Sequence, residues 1–385
     1  FRYAISNCPP YHAIYLPNGT YIVDEEIVLD AAYDNIVIRG ESRDGAIIFF
    51  PKHMNEIQKV AQSNDKFFQF IGGTNRGIES VSLIFRDETK ATGYVWPNLP
   101  NENERHWFYS GECPILFASG EKNSWIQNVY IKNANHAITV AGKGTDNITI
   151  LDIVLDQFNG RTMEEDATDG HMGIRVGTAA KHCLVHNILF TGYWAHDLAI
   201  MGTEESVFSR MWGPDMELDH HATGNDYNLF TEIDKGKGNQ LDGEASNNTL
   251  ETYWGIKGVQ NRVYMPTSGF DKQIGINTAD PTSIGGDGTF ENSWHHETLD
   301  PDLLEPANIW LAQMAYNSNT NIPADRTLTL PPLVAPYRLL ASDDAGVQGG
   351  SNSSINYGWN GNIALKNGGS PVNDRRGFMK FDLSG

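Results

Sequence analysis

The chain has 385 residues, 40% hydrophobic and 20% charged, with 48 acidic against 28 basic side chains and a net charge of −20. That balance describes a folded globular protein rather than a disordered one, and it argues against nucleic acid as a partner, because phosphate contacts need clustered Lys and Arg. No apolar run reaches the roughly 20 residues of a membrane span, and Cys8, Cys113 and Cys183, none of them in a CxxC pair, make neither a zinc ribbon nor a disulfide scaffold.

Along the chain the apolar residues fall in short alternating runs: AIYLPNGTYIV, NIVIRG, SVSLIF, WIQNVYI, HAITVAG, NITILDIVL, GIRVG, NILF and LAIMG. Each run ends at Gly, Asn or Asp. Short period-two strands with turn residues at close intervals predict an all-β chain. Long polar insertions interrupt the runs at residues 86–111 and 161–170.

The runs also repeat. Asn135–Gly142 (NHAITVAG) is echoed by Gly170–Gly177 (GHMGIRVG) and by Ala195–Gly202 (AHDLAIMG), with His six positions before Gly each time. His171 and His196 are 25 residues apart, and His136 and His171 are 25 apart once ten polar insertion residues are set aside. A period near 25 with several short strands suits one coil of a β-solenoid, whereas a propeller blade needs about 40 residues.

The segments YLPNGTYIVDEEIVL and NIVIRGESRDGAIIFF resemble the opening coils of the pectate-lyase-like superfamily. That resemblance implies a right-handed parallel β-helix over residues 1–320 and, for the activity, a secreted polysaccharide lyase. The Gly-Asp-Gly-x-x-Asp-Asp segment usual upstream in that superfamily is absent. Glu305–Asn317 (EPANIWLAQMAYN) is similar to the segment that closes the helix in some members. Residues 321–340 are Pro-rich and read as a linker or strap. Residues 341–385 resemble the first strands of a DNRLRE-type β-sandwich, on Asn356-Tyr-Gly358, Leu365-Lys-Asn-Gly368 and Arg375–Leu383. In that family such modules bind carbohydrate. At about 45 residues the tail reads as a partial module, either cut short or packed onto the β-helix, since a full sandwich needs roughly 100.

In a solenoid with a filled interior, ligands lie on an outer sheet face, and successive coils offer side chains about 4.8 Å apart. The richest stretch runs from Asp169 to Trp254. Strict alternation turns Leu198 and Ile200 inward, so Asp197 faces out and His196 in; by the same count His136 faces in. Met172, Ile174 and Val176 facing in would turn His171 and Arg175 outward. This apolar register disagrees by one residue with the His-to-Gly register, and a β-bulge in this coil would reconcile them. His136 then reads as an internal stack residue.

Downstream, Met216 and Leu218 face in and Asp215, Glu217, Asp219 and His221 face out. Three carboxylates on one strand face need neutralising, which a calcium ion with oxygen ligands would do. No organic cofactor is expected. A β-eliminating lyase needs a base near the carbon α to a uronate carboxylate and a cation on that carboxylate. Candidate bases are His171, His196, His220 and His221, with Tyr227 and Lys235 behind them; candidate cations are Arg175, Lys235, Lys237 or a metal. Asp197, Trp212, Tyr227, Lys237 and Trp254 are candidate contacts to the sugar chain. The expected substrate is an acidic, uronic acid-containing polysaccharide, the sulfated algal polymers among them. Two alternatives stay open: a glycoside hydrolase using Glu217 with Asp215 or Asp219, and a non-catalytic carbohydrate-binding β-helix with Trp and Tyr stacking on sugars.

Overall fold

In this computed structural model the described residues are 1–52, 54–58, 66–86, 113–156, 170–192, 194–222, 224–238, 240–241, 251–258, 262–263, 271–276, 294–297, 300–317, 341–348 and 375–381. The chain divides into two units, Phe1–Pro332 and Leu333–Gly385. The proposed strap at 321–340 lies outside the described residues. In the second unit the described residues form one antiparallel pair, Ala341–Gln348 with Arg375–Phe381.

The first unit is a right-handed parallel β-helix. Its described strands fall into a long sheet of 14 and a second sheet of nine, both with parallel neighbours. The chain winds between the sheets, so each strand pairs with the one a full coil away. Pairing in register stacks like on like. Ile126, Ile150, Val185, Phe208, Phe230 and Tyr253 form one internal column, each no more than 4% exposed. The rings of Phe208, Phe230 and Tyr253 lie nearly parallel at 4.9 and 4.7 Å. Truncating one such side chain to Ala costs about 2–5 kcal/mol, because neighbouring rungs cannot close the gap.

Period two holds only in pieces, because every coil turns corners. In the long sheet Asn128, Asp152, Asn187, Arg210, Glu232 and Gly255 all adopt a positive φ of 52 to 70°. Asn and Gly tolerate that region best. Each such residue bends its strand, so Ile150 and Ile153, three apart, both reach the core. The bends recur at 22–24 residues, except for the 35-residue step that contains the insertion before Gly170. Coils are therefore slightly shorter than the 25 residues expected. Strand pairing follows the apolar register, Met172 to His196, Ile174 to Leu198 and Gly177 to Met201, not the His-to-Gly echo. The expected bulge is absent from that pairing. A register shift occurs one coil later, between Ile200 and Met201 where they face the strand Leu218–Ala222.

After the last coils the chain doubles back. The 3-10 turn Pro301–Leu303 and the helix Ile309–Asn317 cross the outside of the long sheet. Pro306 O accepts from Trp254 Nε1 at 2.7 Å, Asn308 Nδ2 donates to Ser209 Oγ and Glu232 Oε2, and Trp310 packs on His186 at 4.8 Å. The segment expected to close the helix thus lies along its flank, over the outward column His186, Ser209, Thr231 and Trp254.

Candidate active site

The 301–317 segment, a strap distinct from residues 321–340, occupies one outer face; a cluster of titratable side chains gathers on the other. His136, His171 and His196 come together on the nine-stranded sheet, with ring centroids 5.3 and 5.4 Å apart. His196 Nδ1 lies 3.3 Å from Asp219 Oδ2. Arg175 and Thr139 are paired across neighbouring rungs, and Cys113 Sγ is 3.7 Å from Thr139 Oγ1. The 87–112 and 157–169 segments both enter the chain shortly before strands of this sheet, Ile115–Ala118 and Gly170–Gly177.

This placement corrects the alternation argument for His136 and His196, which put both inside. Ala137 and Ile138 are consecutive core residues. Gly173 and Ile174 repeat the pattern: a Cβ on Gly173 would meet the core ring of Phe190 at 2.6 Å. In the first run the adjacent inward pair reverses parity, so His136, directly before it, faces the opposite way from the period-two count, and His196 lies in the same register column through Met172. The adjacent pair Ala137-Ile138 was the available signal. His136, Thr139 and Lys66 are the members that sequence reasoning missed.

Burial and like charge shape the cluster. Burial first, then the neighbouring charges of Lys66, His171, Arg175 and His196, hold His136 well below the ordinary imidazole range, so it is neutral at pH 7. Its Nε2 is buried and has no hydrogen-bond partner among the described residues. Arg175 is partly buried, with Nη2 3.0 Å from Met201 Sδ. Seven arginine side chains are described, and Arg2, Arg39, Arg43, Arg76, Arg86 and Arg210 each ion-pair with a carboxylate. Arg175 is the exception: among the described residues no carboxylate lies within ion-pair distance of it. A guanidinium in that setting can grip a carboxylate with two parallel bonds.

The acidic strand is arranged differently from a calcium site. Glu217 and Asp219, expected to line the outer face, are buried, 4% and 2% exposed. Asp219 turns to His196, while Glu217 and Asp215 share the field of Lys235. Lys235 is fully buried, and burial brings its ammonium down to about 8 against the pull of those two carboxylates. Burial raises Asp215 too, opposed by Lys237 and Lys235. Among the described residues no three His, Cys, Asp or Glu side chains converge on a metal position. The proposed ligand set does not fit calcium, because a lysine already supplies the counter-charge.

The remaining expected residues scatter. His220 points into the interior, where Nε2 meets the Tyr253 hydroxyl at 2.7 Å and Glu251 at 3.0 Å; it stabilises the stack and is cut off from a ligand on the outer face. His221 belongs to the Leu218–Ala222 strand, but its side chain is outside the described set. Asp197, expected outward, is 1% exposed and accepts the Glu217 N–H at 2.9 Å. Trp254 is tied beneath the strap. Trp212 is a partly buried long-sheet residue between Leu189 and Asp234. Tyr227 is 54% exposed at a turn with φ 60°, and Lys237 is exposed beside Asp215.

No protein-family model matches the sequence, and no curated protein sequence matches it. Among solved structures the chain is similar to the ORF18 protein of Geobacillus virus E2 (TM-score 0.43, 11% identity, covering 69% of this chain and 49% of that one). It is similar to the catalytic domain of a GH87 α-1,3-glucanase in complex with nigerose (TM-score 0.43, 10% identity, 69% and 54%). It is also similar to the A-module of the Azotobacter vinelandii mannuronan C-5 epimerase AlgE4 (TM-score 0.31, 13% identity, 69% of each chain). The chain spans about half the length of the first two. Among the described residues no helix is long and apolar enough to cross a membrane.

Proposed function

We propose that this chain is a secreted enzyme that cleaves an acidic polysaccharide by β-elimination on the outer face of the nine-stranded sheet. The observation that carries the reading is Arg175, held away from carboxylates beside His136, His171 and His196. A uronate carboxylate on Arg175 would have the charge that develops on it stabilised as the α-proton leaves. An imidazole of the ladder takes that proton, and the glycosidic oxygen departs from the neighbouring carbon. Asp219 Oδ2, 3.3 Å from His196 Nδ1, would stabilise the imidazolium that forms there. His171, between the other two rings, lies within reach of both. Residues 341–385 are read, from their sequence pattern, as part of a carbohydrate-binding module.

The test is to incubate the protein with polygalacturonate, alginate and sulfated uronate polymers and follow absorbance near ~235 nm, where the unsaturated product of elimination absorbs. A rising signal that is lost in His171→Ala and Arg175→Ala supports the reading. A second reading, hydrolysis, is favoured by Asp215, a half-buried carboxyl that holds its proton more tightly than usual, as a general acid must. New reducing ends without the absorbance would replace the lyase with that hydrolase.

A further inference from the structure

The contact between His196 and Asp219 bridges two neighbouring rungs of the nine-stranded sheet, whose pairing slips further along, between Ile200 and Met201. Upstream of that slip the strand Trp194–Met201 pairs in even steps with Gly170–Gly177. On its other side, pairing with Leu218–Ala222 begins only at Leu198 with Leu218 and shifts between Ile200 and Met201. At that start the backbone bond is Leu198 N to Glu217 O, 3.1 Å. The next donor, Glu217 N–H, goes to a side chain, Asp197 Oδ2, at 2.9 Å. A buried carboxylate thus takes the place of a strand carbonyl.

The opposite side of the same segment is held by the chain around Lys235. Met216 N–H donates to Lys235 O at 2.9 Å, and Lys235 Nζ donates to Gly238 O at 3.3 Å. Gly238 passes so close to Met216 that a Cβ there would lie 2.0 Å from Met216 O. The buried ammonium also faces Glu217 and Asp215. Residues 215–219 are therefore gripped from the preceding coil by Asp197 and from the following one by Lys235. Asp219 ends that gripped segment.

We propose that Asp197 and Lys235 are positioning residues that set the 215–219 segment so that Asp219 meets His196. This inference rests on the reading of the ladder as the catalytic site. Both residues were expected from sequence to touch substrate; the geometry assigns them to the strand behind it. The clamp works through hydrogen-bond geometry at Asp197, because an acceptor oxygen, not a charge, is what Glu217 N–H requires.

The test compares Asp197→Asn, which keeps an acceptor, with Asp197→Leu, which does not. Absorbance of the eliminated product from the best polymer of the panel gives kcat and KM. Asp197→Asn is expected to stay within about threefold of wild type. Asp197→Leu is expected to lose about 100-fold in kcat with KM nearly unchanged, the scale of an ångström-sized misplacement. Combined with Asp219→Asn, Asp197→Leu should add little further loss, since both act through one contact. Additive losses, equal damage from both Asp197 variants, or wild-type kcat in Asp197→Leu would each overturn the clamp. A readout free of catalysis separates the two layers of argument: the His196 ring resonances in NMR spectra should move in Asp197→Leu and in Lys235→Met but stay in place in Asp197→Asn. If wild type yields no unsaturated product while those resonances move as stated, the lyase reading fails and the clamp stands. Unmoved resonances in folded Asp197→Leu sink the clamp whatever the activity. Should Asp197→Leu not fold, Lys235→Met carries the same comparison.

Discussion

The proposed role of Arg175 rests on what surrounds it. Every other arginine with a described side chain has a carboxylate, and its neighbours are instead imidazoles, a thiol and Met201. Lys cannot replace it, since an ammonium lacks the planar fork that grips a carboxylate with two bonds. Arg175→Lys is expected to lower kcat/KM on an acidic polymer by about 10-fold and Arg175→Met by about 100-fold or more. Steady-state kinetics would check this, and an unchanged kcat/KM in Arg175→Met would remove Arg175 from the site. At this scale the sequence was half legible. Composition singled out His171 and Arg175 as candidates. Parity failed for His136 because Ala137-Ile138 is an adjacent inward pair, and for His196 because it shares the register column of His136. It could not reveal that Asp219 is buried beside His196.

The strap over the long sheet is the element whose role changed most between sequence and structure. A stretch read as an end closure runs along the flank and seals a polar column. Its helix seats Trp310 on His186, a 9%-exposed ring whose pKa burial, and then Arg210, brings down to about 4. The folded-state value lies below the ordinary 6.5, so the folded chain resists this protonation. The stability gained by keeping His186 neutral is complete above about pH 6.5 and is lost as pH falls from there toward 4. Denaturant melts from pH 7 to 4 should show a decline of order 3 kcal/mol that His186→Leu flattens; an unflattened decline would move its origin elsewhere. Trp310→Ala should cost about 2 kcal/mol through lost ring burial. It should leave activity intact, because the strap and the imidazole ladder lie on different sheets. A loss of activity without loss of fold would place substrate on the strap side.

At the scale of the whole chain, a net charge of −20 opposes any polyanion at long range, while Arg175 and its neighbours attract it at short range. Screening removes the long-range part first, since the Debye length falls from about 30 Å at 0.01 M salt to about 10 Å at 0.1 M. The rate kcat/KM on an acidic polymer should therefore rise, by about threefold, across that range before declining at higher salt. A fall from the lowest salt onward would mean that local cations dominate throughout. By itself the sequence determined the architecture: short strands, turn residues at fixed recurrence and stacked like residues admit few structures other than a solenoid, because each coil buries its apolar face only on its neighbours. The tertiary structure alone decided which histidines share a face, that the acidic strand answers to a buried lysine, and that the strap lies on the flank. Those outcomes depend on corners, register slips and contacts between coils, where residues from 20 to 124 positions apart meet and local alternation carries no information.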